Sequence, residues 1–441
     1  MSARTLALVD GEHYPPVVRA ALEHAGLEDE VVAALLVGGH EKLSGEPDYG
    51  VPLERLGDRP PAEAMLLAAR RHGATRVLDL SDEPVIGEDA RVLLVAHAVA
   101  AGLEYAGPDF TFRPPPLERV AAATLAVIGT GKRIGKTAVS GHIARLLHGR
   151  GHHVVVVAMG RGGPAEPELI DGGSQTVGVE ELLRRADAGQ HAASDFLEDA
   201  ALARVATVGA RRCGGGLLGR PYVSNVMRAV ELAVARAPDL VVLEGSGAAV
   251  PPVRADRTVL VSSATRGSPL GRGFGAYRVL LADLVVLTMC EPPYASADDV
   301  GAARRAVEAL AADVPVIATV LRPVPVEAVA GRRVVYFTTA RVTGPLADHL
   351  REQHGADVRL ASGALGDRAQ LMSDLERPEA LDAEAYVVEI KAAAIDVVAR
   401  SAAERGIPVV FCDNRPTPLP GEADLDAAVL ELAGRAVGSH A

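Results

Sequence analysis

Residues 129–137 read Gly-Thr-Gly-Lys-Arg-Ile-Gly-Lys-Thr, a glycine-rich stretch carrying two ammonium groups and a terminal hydroxyl. That combination suits chemistry on phosphate. Gly129, Gly131 and Gly135 let backbone N–H groups approach phosphate oxygens closely, and a helix opening near Gly135 would turn its N-terminus toward the same charge. Lys136 can reach the β- and γ-phosphates, and Thr137 can hold magnesium. Gly129, Thr130, Gly131, Ile134, Gly135, Lys136, Thr137 and Ala138 are therefore the expected ATP-binding segment. The strict pattern G-x-x-x-x-G-K-[ST] asks for glycine at position 130, where this chain has Thr130; the glycine stands one place earlier. Lys132 and Arg133 either offset charge on a transferred phosphoryl group or face solvent from the loop tip.

Further polar groups stand where apolar runs end. Glu244 closes Leu240-Val241-Val242-Leu243 and precedes Gly245-Ser246-Gly247. It is expected to coordinate magnesium, directly or through water, or else to cap the next turn. Arg161, in Gly160–Pro164, is a candidate for a substrate phosphate, and Asp171, before two glycines, for a metal or leaving group; a flexible glycine loop is the plain alternative. Arg211, Arg212 and Arg220 flank Cys213-Gly214-Gly215-Gly216, and Arg266 and Arg272 flank another glycine-rich loop, so three such loops suggest a polyanionic substrate. Lys391 is a site candidate or a snorkelling surface lysine. Asn414 could read an adenine edge or help form the turn before Pro416. Near the start, Asp10, Glu12 and His13 follow an apolar run, where His13 is an acid, a base or a phosphate ligand, or part of an exposed polar turn.

A phosphate loop needs a buried strand before it and a helix after it. Ala121–Ile128 and Lys136–His148 supply those patterns. Strand patterns recur at His153–Ala158, Leu240–Leu243, Val259–Ser262, Leu284–Thr288, Val314–Leu321, Arg333–Thr338, Tyr386–Ile390 and Pro408–Cys412, with helical stretches at Asp298–Ala312 and Ala392–Arg405. Thr5–Val9, Val31–Val37 and Arg76–Leu80 alternate with helical stretches in the same way, and Phe112-Arg113-Pro114-Pro115-Pro116 interrupts regular structure. The expected fold is α/β: a P-loop NTPase-type, mostly parallel sheet over 120–320, a Rossmann-like α/β domain over 1–115, and an α/β part over 321–441 that completes or flanks the core.

Bulk composition narrows the partners. The chain has 441 residues and a formal net charge of −12, which argues against a broad nucleic-acid face but not against a local cationic pocket. An acidic surface of this kind would gather magnesium or potassium. Only four lysines (Lys42, Lys132, Lys136, Lys391) stand against 41 arginines, so the survivors mark positions where a compact ammonium is wanted, Lys42 reading as an ordinary solvated charge. Three scattered cysteines suit reduced thiols in the cytoplasm, and no apolar run approaches a membrane span. A homodimer is the expected assembly.

The variant loop G-T-x-x-x-x-G-K-T resembles that of dethiobiotin synthetase, and Leu-Glu-Gly-Ser-Gly is similar to the E-G-x-G segment of those enzymes. From residue 6 to about 416 the chain more fully resembles the cyclic 2,3-diphosphoglycerate synthetase family. The resemblance rests on Leu-Val-Asp-Gly-Glu-His-Tyr-Pro, the GTGKRIGKTA loop, Gly-Arg-Gly-Gly-Pro, Leu-Glu-Gly-Ser-Gly and Lys391-Ala-Ala-Ala-Ile-Asp. It implies an ATP- and magnesium-dependent ligase that forms an intramolecular phosphoanhydride in 2,3-diphosphoglycerate and releases ADP and phosphate. Lys132, Arg133, Lys136 and Arg161 would then frame the charged oxygens, with magnesium on Thr137 and Glu244. A dethiobiotin-synthetase-like ligase, a 2-phosphoglycerate kinase and a regulatory P-loop NTPase are the alternatives.

Overall fold

The computed structural model describes residues 2–173, 177–190, 195–391 and 393–440. The chain divides into two compact units: residues 1–116 with 269–281 and 306–312, and residues 117–268 with 282–305 and 313–441.

In the smaller unit, the strands run Leu53–Arg55, Glu30–Leu36, Arg4–Val9, Arg76–Asp79, Glu104–Ala106 and Thr111–Phe112 across one sheet. All neighbours are parallel except the last pair. Helices Pro15–Ala25, Pro61–His72 and Glu88–Ala100 connect them, as a Rossmann-like α/β domain requires. Leu6, Ala7, Leu8 and Val9 are fully or almost fully buried, the continuous apolar run of a strand covered on both faces.

The larger unit is built on one extended sheet with two parallel halves. In the first half the order is Ala206–Cys213, Val154–Gly160, Leu240–Glu244, Thr124–Gly129, Arg257–Ser263, Leu284–Thr288 and Val316–Pro325. The short strands Glu168–Asp171 and Val223–Ser224 add antiparallel to Ala206–Cys213. The second half has the order Val409–Pro418, Ala385–Val388, Arg333–Phe337 and Asp357–Ser362, all parallel. The two ten-residue strands Val316–Pro325 and Val409–Pro418 pair antiparallel from Thr319↔Pro418 to Pro325↔Cys412 and weld the halves together. Residues 313–441 thus complete the larger unit's sheet. No helix among the described residues is long and apolar enough to cross a membrane.

Apolar burial explains the layers. Helix Lys136–Gly149 lays Val139, Ile143, Ala144 and Leu147 against Leu125, Val127, Val154, Val156, Val242 and Val259. Helix Asp195–Ala203 inserts Phe196, Leu197 and Ala200 into the core that also holds Val335, Phe337, Tyr386 and Ile390 of the second half. At roughly 1.5–3 kcal/mol per buried large aliphatic or aromatic side chain, this shared core favours keeping the two halves together.

Candidate active site

The strand Thr124–Gly129 is buried throughout and delivers the glycine loop at its carboxyl end, the ligand edge of a parallel sheet. The neck of the loop is pinned from its neighbours: Thr130 N–H donates to the Val261 carbonyl at 3.2 Å, and Thr288 Oγ donates to the Ile134 carbonyl at 2.8 Å. Arg133 has φ 57 and Gly135 φ 85, both in the left-handed region. Gly135 is the residue before the helix Lys136–Gly149, and glycine removes the steric cost of that conformation where the helix's free N–H groups begin. A Cβ at Gly129 would come within 2.6 Å of Lys136 Cδ, so the lysine stem occupies the space a side chain would take.

Lys136 is 8% exposed, and its Nζ donates to the Gly131 carbonyl at 2.6 Å, spanning the loop. Burial lowers its pKa to about 8; Glu244 and Asp195 oppose that shift, while Arg161 and Arg212 add to it. Glu244 ends its strand beside the loop, with its backbone in register with Val127. Thr137, in the first turn of the helix Lys136–Gly149, lines the same cleft as the Glu244 carboxylate and holds its pKa down. Burial, followed by the charge of Asp195, raises Glu244 to about 7. Burial and the charge of Glu244 push Asp199 well above the usual carboxylate range. Glu244 Oε2 and Asp199 Oδ2 are buried and accept no hydrogen bond in the protein. Among the described residues no group of three or more His, Cys, Asp or Glu side chains is arranged to hold a metal by itself.

The loop opens into a cleft of about 1210 Å³ within the larger unit. On the P-loop side it is lined by Lys132, Arg133, Lys136, Thr137, Arg161 and Glu244, and by Asp195, Glu198 and Asp199 of the helix Asp195–Ala203. Thr339, Arg341, Glu389, Lys391 and Asn414 line it from the second half of the sheet. Glu389 is 4% exposed and is held by five donors: Thr338 Oγ, Tyr336 OH, Thr339 N, Thr339 Oγ and Asn414 Nδ2. Lys391 Nζ pairs with Glu198 at 2.7 Å; burial alone would lower its pKa, but Glu198 and Glu389 outweigh it and hold the ammonium charged.

The structure therefore brings together Gly135, Lys132, Arg133, Lys136, Thr137, Ala138, Arg161, Glu244, Lys391 and Asn414 around one cleft. Gly129, Thr130, Gly131 and Ile134 complete the loop that borders it. Other expected site residues do not line it. Asp171 sits on the edge strand Glu168–Asp171 and faces Arg236 at 3.5 Å rather than Thr137 or Glu244. Arg266 and Arg272 are exposed. In the smaller unit Asp10 is fully buried and organises its own turn, accepting from Glu12 N, His13 N, His13 Nδ1 and Asp82 N, while Glu12 pairs with Lys42. His13 belongs to that turn through its N–H and Nδ1 contacts with Asp10. Asp195, Glu198, Asp199, Arg341 and Glu389 escaped the sequence reading, whereas Arg212 stands in it only as one of the arginines beside a glycine loop. The spacing of Asp195, Glu198 and Asp199, at i, i+3 and i+4 in an apolar stretch, was the available signal for one of these groups.

Sequence comparison decides the family. Models of the N-terminal domain, P-loop domain and C-terminal domain of cyclic 2,3-diphosphoglycerate synthetase match residues 4–113, 124–320 and 325–415. The chain belongs to the cyclic 2,3-diphosphoglycerate synthetase family. It is 49% identical to the cyclic 2,3-diphosphoglycerate synthetase of Rubrobacter xylanophilus, over 99% of this chain and 98% of that one. Identity to the synthetase of Thermococcus gammatolerans is 44%, again over 99% and 98%. Among solved structures, LpxK from Aquifex aeolicus in complex with ATP aligns with 72% of this chain and 91% of that chain, at 14% identity and a TM-score of 0.43, a likeness too distant to argue from. Membership of the synthetase family gives the nucleotide loop its context: the P-loop domain of this family is the segment that carries Lys136 and Glu244.

Proposed function

We propose that this chain is an ATP-dependent synthetase that closes 2,3-diphosphoglycerate into its cyclic intramolecular phosphoanhydride, with release of ADP and phosphate. The observation that carries the reading is a single cleft holding a buried P-loop ammonium, the half-buried Thr137 hydroxyl, the buried Glu244 carboxylate and several cations. The residues fit a nucleotide and magnesium. The loop has the left-handed glycine and the helix N-terminus that a phosphate requires, and the unpartnered oxygens of Glu244 and Asp199 are hard donors suited to magnesium or its water. The nucleotide supplies the phosphoryl group that turns an acceptor phosphate oxygen into a leaving group, and magnesium supplies charge between phosphate oxygens.

The chain's own groups bind, orient and neutralise. Lys136 and the loop amides bind the terminal phosphates of the nucleotide. Thr137 and Glu244 hold magnesium. Lys132, Arg133 and Arg161, none of which has an ion pair among the described residues, balance the charge that accumulates when two phosphates are brought together. Asn414 spends one amide N–H on Glu389, which leaves its second N–H and its carbonyl oxygen to read a base. Lys391, fixed by Glu198, faces the acceptor from the far wall.

Phosphorus NMR of the purified protein with ATP, magnesium and 2,3-diphosphoglycerate tests the reading. The expected result is loss of the two monoester signals, with new anhydride signals appearing alongside ADP and phosphate. Nucleotide hydrolysis that is indifferent to the acceptor would instead indicate a regulatory NTPase. A product carrying one more phosphate than its acceptor would indicate a kinase.

A further inference from the structure

Gly247 follows the Glu244 strand and has φ +61. A Cβ built there would lie 2.7 Å from Arg161 Nη2 and 3.3 Å from Arg212 Nη2, so two guanidinium tips converge on the bare face of one glycine. Arg161 reaches that point from the loop after the strand Val154–Gly160, and Arg212 from the adjacent parallel strand Ala206–Cys213. Arg212 is 8% exposed, and its donors go to backbone and hydroxyl oxygens: Gly214 O and Ser246 O, each at 2.7 Å, and Ser246 Oγ at 3.3 Å. Its Nε is buried and has no acceptor. Neither guanidinium forms an ion pair with a carboxylate among the described residues. Asp195 acts on Arg212 only as a more distant charge, and Arg161 repels it.

Two like charges brought together without a counter-ion destabilise the free protein, and burial increases that cost. An anion at the Arg161 side would relieve it. The same two arginines act on Lys136, which places the pair next to the phosphate loop rather than on a remote surface.

We infer that Arg161 and Arg212 form a phosphate clamp for the acceptor, separate from the loop that holds the nucleotide. Arg161 touches the acceptor phosphate from the cleft wall. Arg212, behind Gly247, is a positioning residue that holds Ser246 and Gly247 in place and deepens the positive potential there. The inference rests on the reading of the protein as a 2,3-diphosphoglycerate synthetase and specifies which residues receive the phosphate that the P-loop does not.

Steady-state kinetics of Arg161→Gln, Arg212→Gln and Arg212→Lys test it. Loss of one charge-assisted contact should raise KM for 2,3-diphosphoglycerate about 10- to 100-fold, leaving KM for ATP within about twofold. Arg212→Lys, which keeps the charge but loses the planar fork, should recover part of the loss seen in Arg212→Gln. Arg161 is exposed, so its variant reports on the clamp even if Arg212→Gln folds poorly. Wild-type acceptor KM in Arg161→Gln, or an equal rise in both KM values, overturns the clamp. If the wild type makes no cyclic product, the functional reading fails by itself. The clamp then stands or falls on calorimetric titration of the protein, its P-loop already saturated with ADP and magnesium, with inorganic pyrophosphate: heat lost in Arg161→Gln supports it, and heat retained refutes it.

Discussion

Lys136 is costly to the fold that carries it, and the cost can be measured. Its folded pKa is about 8 against an ordinary value of 10.5, because burial disfavours the ammonium more than Glu244 and Asp195 favour it. Each unit is worth about 1.36 kcal/mol, so the protonated lysine weakens the folded state by roughly 3 kcal/mol below pH 8. The sign follows from proton counting. Between the folded and unfolded pKa values the unfolded chain binds more protons, so this group's contribution to stability rises with pH across that window and its cost has gone above 10.5. Lys136→Met removes the titration. The lost hydrogen bond to Gly131 and the altered packing shift the variant's stability by an amount that does not depend on pH, so the informative quantity is the change in the gap. Urea unfolding followed by circular dichroism should show the stability of Lys136→Met, relative to wild type, falling by about 2 kcal/mol between about pH 7.5 and about pH 9.5. At the same time, saturating ATP with magnesium should stabilise the wild type by about 2.7 kcal/mol at a hundredfold excess over Kd, and the variant by nothing. A gap that is flat with pH would refute the buried, charge-strained lysine. Equal nucleotide stabilisation of both proteins would remove the lysine from phosphate binding.

Three further outcomes are expected. Gly135→Ala, at φ 85 with a methyl 3.1 Å from Leu321 Cδ1, should cost about 1–2 kcal/mol of stability and weaken nucleotide binding in a fluorescence titration; unchanged affinity would show that the loop tolerates a side chain there. Glu389→Gln must aim an NH2 group at either Thr339 N or Asn414 Nδ2, which sit on opposite carboxylate oxygens, so a loss of about 1–3 kcal/mol is expected in urea unfolding, and wild-type stability would mean the network is dispensable. Lys132→Ala should lower kcat with little change in nucleotide affinity, since its ammonium is exposed and has no ion pair among the described residues; a pure loss of ATP binding would count against its role in charge neutralisation.

The glycine loop and Glu244 were legible in the sequence because strand, loop and helix are written in consecutive residues, and each end is marked by a residue type with one main physical use. Asp199 was not legible in that way. It reaches Glu244 only through the packing of the helix Asp195–Ala203, whose Phe196 fills the space beside Gly209, where a Cβ would come within 2.7 Å of the ring. The strand Ala206–Cys213, which carries Arg212, was hidden by that same glycine and by two arginines in succession. Proline misled the reading of the last strand. Pro408–Cys412 was expected to stop before Pro416, yet the strand runs Val409–Pro418, because the register sets Pro416 against Leu321 and Pro418 against Thr319 in a ladder that tolerates missing N–H donors. Asn414 falls inside that strand rather than in a turn, which is why its amide meets Glu389.

That antiparallel ladder explains why the cleft has two cationic walls. The first half of the sheet pairs with Val316–Pro325 as far as Leu287↔Ala318, and the second half pairs with Val409–Pro418 as far as Val388↔Phe411. Between those limits, the seven pairs from Thr319 to Pro325 run for about 20 Å at ~3.4 Å per residue. Since the two long strands run in opposite directions, the parallel strands of each half run toward those of the other. Their carboxyl ends, normally the open ligand edge of an α/β sheet, therefore face one another across the ladder. Gly129, Gly160, Glu244 and Thr288 end strands on one side, and Phe337 and Val388 end strands on the other, with Arg341 and Lys391 just beyond. A nucleotide and a doubly phosphorylated acid repel each other strongly, and a single sheet edge offers cations from one direction only. Two opposed edges can surround both anions, so the ladder's length, rather than any one side chain, sets how far the backbone of the P-loop edge stands from that of the edge carrying Arg341 and Lys391.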